Sequence, residues 1–469
     1  MIEMLVHPPS APPKNYIPDM FCPPVSPNTS RLSYVWPDLY DYEWRNPVTN
    51  YIFTNVRVLD CSGAVPYDAE VEIQGNRIHK ISTTPITRKD QTVIDGQGCT
   101  LMPGLVEAHA HASFTDINVF EDIGDTPPEE HTLLTAHFAR VLFDAGFTSL
   151  FGAASAKPRV EIAVRNFIND GMMVGPRMLC ASPELTVTGN LGDVAMRHMY
   201  RETFGLVCDG ADAFRKAARE CVRDGIDTLK INPSGDNSMP WAKAQHTVMT
   251  EDEVAAVAQV ARGFGLNFAS HARSAESVKM SLRHGAKIIY HATLIDEEAM
   301  DMLEAQKDEI FVAPTIGVTH AAVYEAAEHG ISHEDAIAAG FKYELETAAE
   351  NMAQLHKRGV RVLPGGDYGL IWNPNGTDAR DIEFFVTLIG MSPMDAILSA
   401  TKLGGEIMGM GDELGQVKEG YLADLLLVSG DPSNDVTILQ DKDNLRMIMK
   451  DGIIHKHPDA SGGKQSKAA

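Results

Sequence analysis

From residue 101 to about 405 the chain alternates two textures. One is a set of short apolar runs: "TLMPGLVEAHAH", "GFTSLFGAA", "GPRMLCAS", "DTLKINPSG", "LNFASHA", "AKIIYHAT", "IFVAPTI" and "VRVLPGGD". The other is a set of longer stretches with apolar positions at helical spacing, such as "EDEVAAVAQVARGFG", "AESVKMSLRHG" and "DEEAMDMLEAQ". The first kind is continuous rather than alternating, as strands buried on both faces require. Eight strands alternating with helices predict an α/β fold in which 101–405 closes as a (β/α)8 TIM-like barrel.

The flanks read differently. "YIFTNVRVLD", "AEVEIQGNRIHKIS" and "QTVIDGQGCTLMPG" before the barrel, and "GQVKEGYLADLLLVSG" and "LRMIMKDGIIH" after it, are short β-rich runs punctuated by Gly turns. Residues 51–100 and 406–460 are therefore expected to form one small β-sandwich domain built from both chain ends. Residues 1–50, rich in Pro, Tyr and Trp, predict a stiff extended arm that lies on a surface, either its own domain or a neighbouring subunit, with wrapping of a partner subunit in a homo-oligomer as the working expectation. Residues 461–469, "SGGKQSKAA", predict a disordered tail.

Composition narrows the partners. The 40 basic against 64 acidic side chains give a formal charge of −24, which argues against nucleic acid and anionic membrane, since both select basic surfaces. No run approaches the roughly 20 apolar residues of a membrane helix, and the first residues lack a basic segment followed by an apolar one. Six cysteines without a C-x-x-C pair suit a reducing compartment. A cytoplasmic enzyme acting on a small molecule is the expectation.

The chemistry sits where the strands end, the functional face of such a barrel. The first run ends in His109 and His111, the fourth in Lys230, the fifth in His271, the sixth in His291 and the eighth in Asp367. Two residues apart on a strand share a face, about 7 Å from each other, so His109 and His111 both point into the barrel mouth. A lone H-x-H is a weak signal. Followed by Lys, His, His and Asp, each closing a separate apolar run, it points to a metal centre.

In order and local context these residues resemble the amidohydrolase superfamily. The resemblance runs from about 51 to 455 and includes "TLMPGLVEAHAHAS", "SHA" at 270–272, "GGD" at 365–367 and "ILSATKLGGEIMGM" with "LGQVKEGYLADLLLVSGDP". Within it the chain is most similar to the imidazolonepropionase-like branch, with Xaa-Pro dipeptidases, ochratoxin amidase, and phenylurea and thiocarbamate (molinate) hydrolases. The resemblance implies that His109, His111 and Asp367 bind one divalent metal and that His271 and His291 hold a second. Lys230, carboxylated on its amine as N6-carboxylysine, would bridge the pair. Zinc is favoured, with Co, Mn or Fe as alternatives and one or two ions left open. Asp367 would be the catalytic acid–base group serving a metal-activated hydroxide. Asp378, in "NGTDAR", matches the family's letters but follows the strand by eleven residues, where an N-cap is the expected job.

Three departures bear on the substrate. The family's "TGGHGD" is here "TGNLGD" with Leu191, its "PHG" is "PNG" with Asn375, and an aromatic position before the helix at 251 is Met249. Each replaces an ionisable or polar group by a neutral or apolar one. The expectation is hydrolysis of a urea, carbamate, thiocarbamate or anilide-type C–N bond in a small neutral molecule. Met196, Met199, Met249, Tyr290, Tyr368 and Trp372 are the candidate pocket residues. The alternatives are an Xaa-Pro dipeptidase or N-acyl amino acid hydrolase, which Arg197 or Arg273 facing the metals would favour, and a ring-opening cyclic amidase.

Overall fold

The computed structural model describes residues 50–199 and 201–458. The arm expected at 1–50, save its last residue, and the tail expected at 461–469 lie outside these residues. Among those described, no helix is long and apolar enough to cross a membrane.

One eight-stranded sheet joins the two ends of the described chain. Its central strand, Tyr51–Val58, pairs antiparallel with Tyr67–Gln74. Its other edge is shared: Tyr51–Thr54 pair with Thr92–Asp95, and Arg57 and Val58 with Thr100–Pro103, both in parallel. The change of partner falls at a bulge between Phe53 and Val56, where Asn55 adopts a left-handed φ of 50°. Thr100–Pro103 then pairs antiparallel with Leu425–Val428, which carries Leu445–Lys450 and Ile453–Lys456 beyond it. Phe53, Val71, Ile73, Leu101, Leu425 and Met447 fill its core.

The run "TLMPGLVEAHAH" is thus two strands rather than one. Thr100–Pro103 belongs to the small sheet, and the first barrel strand, Leu105–Ala110, starts after Gly104. Apolar continuity across the junction hid the break, because both segments are wholly buried.

The barrel strands follow in parallel order. Leu105–Ala110 pairs with Phe147–Gly152, and that with Arg177–Leu179. The third stave resumes after Cys180 as Ala181–Thr186, pairing with Thr228–Ile231, then Asn267–Ser274, Ile288–Leu294 and Phe311–Ala313. The eighth stave is short, a parallel bridge of Val362 to Val312. It lies directly against the first: a Cβ on Gly365 would sit 2.6 Å from His109 Cβ and 3.2 Å from Glu107 Oε1. This contact sets the eighth stave beside the first. Every residue of Leu105–Ala110, Phe147–Gly152 and Thr228–Ile231 is buried, as staves covered by side chains within and helices without must be.

Barrel and small sheet are tied by charge as well as by apolar packing. Arg177, on the third stave, pairs with Asp424 at 3.1 Å and Asp451 at 2.7 Å; Asp424 is 3% exposed, and its other oxygen accepts the Asp451 amide at 2.7 Å. Burial pushes the Asp424 carboxyl upward, and Arg177 opposes it. Truncating Arg177 leaves that carboxylate buried and unpaired. Arg177→Met should lower unfolding free energy by about 3 kcal/mol, read from urea denaturation, whereas the far more exposed Lys287–Glu309 pair should contribute well under about 1 kcal/mol.

Candidate metal centre

All six side chains expected at the centre come to the strand ends inside the barrel, and all but Asp367 are at most 2% exposed. Nε2 of His111 lies 3.1 Å and Nε2 of His109 3.6 Å from Asp367 Oδ1. These three are the one set of His, Cys, Asp or Glu donors among the described residues that gathers within 4.8 Å. The His109 ring stands 5.4 Å from that of His291, and His291 stands 4.2 Å from His271. Lys230 Nζ lies 4.7 Å above the Tyr290 ring, which itself packs 4.0 Å from His109. His271, His291 and Lys230 therefore adjoin the triad without joining its tight donor set.

Which nitrogens face inward follows from their outer partners. His111 Nδ1 donates to the Ala154 carbonyl at 3.1 Å, leaving Nε2 as the bare lone pair directed at Asp367. His271 Nε2 donates to the Gly235 carbonyl at 3.0 Å, leaving Nδ1 bare. Nδ1 of His291 bonds the Thr315 hydroxyl at 2.7 Å, while its Nε2 is buried without a partner, as is Nδ1 of His109. A neutral imidazole presenting its lone pair to a carboxylate is an arrangement that a cation between them stabilises. The donor set fits a divalent ion on that ground.

The electrostatics agree. Burial holds His109 and His291 well below the ordinary imidazole range and His271 down to about 3. Burial pushes the Asp367 carboxyl up, but His109 and His111 outweigh it and hold the group well below the usual carboxylate range. Burial lowers Lys230 too, against the pull of Glu184. Its amine is 3.9 Å from Glu184 Oε1, longer than a hydrogen bond. A buried amine tilted toward neutrality is what reaction with carbon dioxide requires.

The backbone is bent to the task. His291, its partner Thr315 and Asp367 have φ of 73°, 58° and 60°, left-handed values that non-glycine residues rarely adopt and that cost about 1–3 kcal/mol each. The two glycines before Asp367 permit its approach, since a Cβ on Gly366 would lie 2.2 Å from the Tyr368 ring.

Several sequence expectations need correction. Met249 is buried among the helices packed around the staves, not at the mouth. Met196, Arg197 and His198 are exposed, and Met199 is half-buried. Tyr368 is buried with its hydroxyl donating to Asp381 at 2.9 Å, so it braces the eighth stave; Tyr290 forms the floor, and Trp372 is half-buried beside the mouth. His131, on the helix Pro128–Asp144, is buried and bonds the Ser113 carbonyl at 2.6 Å, and His320 is on the helix Ile316–Tyr324. Asp378 does not cap a helix; it is buried, accepts the Gly376 amide at 2.6 Å, and burial pushes it up to about 7. Asn375 holds the loop after the first stave through the Phe114 carbonyl at 2.8 Å.

Sequence reasoning also missed residues. Glu184 and Asn232, bonded at 2.7 Å, stand beside Lys230 with no motif to mark them. Glu161 holds Ser113 at 2.7 Å next to His111. Above the donors, loops from six of the eight staves contribute one apolar cluster, including Phe114, Leu191, Phe204, Met239, Val318 and Leu370. Phe114 stacks on the His111 ring at 4.2 Å. Its members are scattered over more than 250 residues, so no local pattern announces it.

The amidohydrolase family model matches residues 100–454. Ochratoxinase from Aspergillus niger is 25% identical over 382 residues, 76% of each chain. The crystal structure of a Xaa-Pro dipeptidase with bound methionine in the active site matches with a TM-score of 0.78 at 27% identity, over 87% of this chain and 100% of that one. A molinate hydrolase structure matches with a TM-score of 0.68 at 20% identity, over 87% of this chain and 95% of that one, and shares the fold.

The depressed groups set a pH dependence with a definite sign. A carboxyl held low stabilises above its unfolded value near ~4 and loses that contribution on acidification; imidazoles held neutral lose theirs as the unfolded chain gains protons below ~6.5. Both slopes run the same way. The carboxyls that burial raises, Glu161 and Asp378 to about 7, run the other way, so the histidine contribution is read by difference: between pH 8 and pH 5 metal-free wild type should lose about 2 kcal/mol more stability than His271→Asn. A difference between the two urea midpoints that stays level across that range would contradict a neutral, buried His271.

Proposed function

Because the chain belongs to the amidohydrolase family, we propose that it hydrolyses a C–N bond of the urea, carbamate, thiocarbamate or anilide type in a small neutral molecule. The observation that carries this reading is the stack of two layers at the mouth. Bare imidazole nitrogens and Asp367 face one buried space, and an apolar cluster drawn from six loops lies over it. A substrate that presents a carbonyl to the first layer and apolar groups to the second fits both.

His109, His111 and Asp367 would hold one divalent ion, with His271, His291 and a carboxylated Lys230 available for a second. When bound, such an ion polarises a carbonyl and lowers the pKa of water. Asp367 accepts the proton of the attacking water and returns it to the departing nitrogen, a role its anionic state at neutral pH allows. His111 and His271 keep their orientation through the Ala154 and Gly235 carbonyls. The apolar cluster excludes bulk water, so charge developing on the carbonyl oxygen is stabilised at low dielectric. The ion itself is read as zinc, with Co, Mn or Fe as alternatives.

The second reading, a dipeptidase, draws on the 27% identity to the Xaa-Pro dipeptidase. It requires a cation free to receive the substrate's carboxylate. Arg197 is exposed, and Arg273 is buried but already paired with Asp236 and Glu344. The neutral-substrate reading is the better supported.

Chelation should abolish turnover of aryl-urea, carbamate and anilide probes, and added Zn, Co or Mn should restore it. Asp367→Asn should cut kcat by about 10²–10⁴-fold with protein still folded by circular dichroism. Full activity in metal-free protein would overturn the proposal, and selective cleavage of dipeptides would replace it with the second reading.

A further inference from the structure

Arg273 lies two residues past His271 on the same strand and so shares its face of the barrel. It is 2% exposed. Its Nη2 is 2.7 Å from Asp236 Oδ2, and its Nη1 bonds Glu344 Oε1. Asp236 Oδ2 is in turn 4.0 Å from His271 Nε2, so one oxygen stands between the guanidinium and the imidazole. Glu344 Oε1 also accepts the hydroxyl of Thr293, two residues beyond His291, at 2.8 Å, and its Oε2 accepts Asn237 at 2.7 Å. The cluster therefore forms a second tier immediately beyond His271 and His291. Its groups come from the loop after the fourth stave, the fifth and sixth staves, and the helix Phe341–Lys357.

The charges do not cancel. One guanidinium faces two carboxylates that are 6% and 0% exposed, a formal sum of −1 in a region that water does not screen. A divalent ion held by His109, His111 and Asp367 would add positive charge where the scissile carbonyl sits; the clamp itself keeps its formal −1 for the rest of the substrate. A free arginine at this position would attract an anionic substrate group; this one has both of its terminal nitrogens occupied by carboxylates before any substrate arrives.

We infer that Arg273, Asp236 and Glu344 are specificity-determining residues: a cation whose two terminal nitrogens are held by carboxylates, only its buried Nε being left without a partner, in a net-negative cluster that turns away molecules carrying a carboxylate beside the scissile C–N bond. The inference rests on the barrel mouth being the substrate site. It assigns selectivity for neutral substrates to repulsion as well as to apolar contact, the two means by which sites discriminate. It also gives Glu344 a role that its position, 71 residues from Arg273 in the chain, does not suggest.

The test uses N-benzoylglycine and N-benzoylglycinamide, which differ only in carboxylate against carboxamide. Each is titrated calorimetrically into metal-loaded wild type, Glu344→Gln and Asp236→Asn. Wild type should bind the amide more tightly than the acid. Removing one carboxylate should improve acid binding relative to amide about tenfold, in the same direction for both variants. A purely structural clamp would instead change melting temperature and weaken both ligands alike. Tighter binding of the acid by wild type overturns the inference without any variant, as does an acid-to-amide ratio that neither variant raises. Turnover of neutral anilides is measured separately, so an inactive protein would sink the hydrolytic reading while the binding ratio still decides this one.

Discussion

The structure depends on keeping several imidazoles neutral and aimed at one another inside protein. Neutral rings can be buried together where imidazolium rings would repel, and only a neutral ring has a lone pair to offer. The fold enforces this from outside the centre. The Ala154 carbonyl after the second stave and the Gly235 carbonyl after the fourth each accept a hydrogen bond from one ring and so fix which nitrogen is bare. Burial does the rest at His109, His271 and His291, where it disfavours the charged form of the ring.

That arrangement explains why the barrel is irregular where it matters. Eight ideal staves would end in regular extended backbone. Here the sixth and eighth turn left-handed at His291 and Asp367, and Thr315, which holds His291, does the same. Such conformations persist only where the surroundings over-determine them. Gly365 and Gly366 let the eighth stave press against His109 and Tyr368, and Asp381 secures it through the Gly365 amide at 3.1 Å and the Tyr368 hydroxyl. Distortion at the mouth is offset by regular, fully buried packing below it.

What could be read from the sequence follows the same division. The staves were legible because burial on both faces demands unbroken apolar runs, and their polar ends stood out against them. His109, His111, Lys230, His271, His291 and Asp367 each sit at such an end. The junction at Gly104 was not legible, because Thr100–Pro103 and Leu105–Ala110 are equally apolar although they belong to different sheets. Met249 misled for the opposite reason: its place beside a helix start is local, but whether it faces the mouth or the helix layer is a tertiary fact. Glu184 and Glu344 look like ordinary acidic residues, one within a strand and one within a helix. Only the fold shows that each is buried against a cation.

The apolar cluster and the buried charges are one device rather than two. Phe114 on the His111 ring, with Leu191 and Phe204 near it, narrows the centre's access to water, which reaches Asp367 at 22% exposure, and reduced access to water is what gives an uncompensated carboxylate its reach. On an exposed rim, Asp236 and Glu344 would be screened within about 8 Å at physiological salt and would select nothing. Under an apolar roof the same pair acts on whatever enters. The roof in turn favours ligands without charge, because desolvating a carboxylate is costly unless a partner waits for it. Arg273, the side chain on the fifth stave best placed to be that partner, is already committed. Selection by apolar contact and selection by charge thus point to the same class of molecule, and the loop residues that supply the first make the second effective.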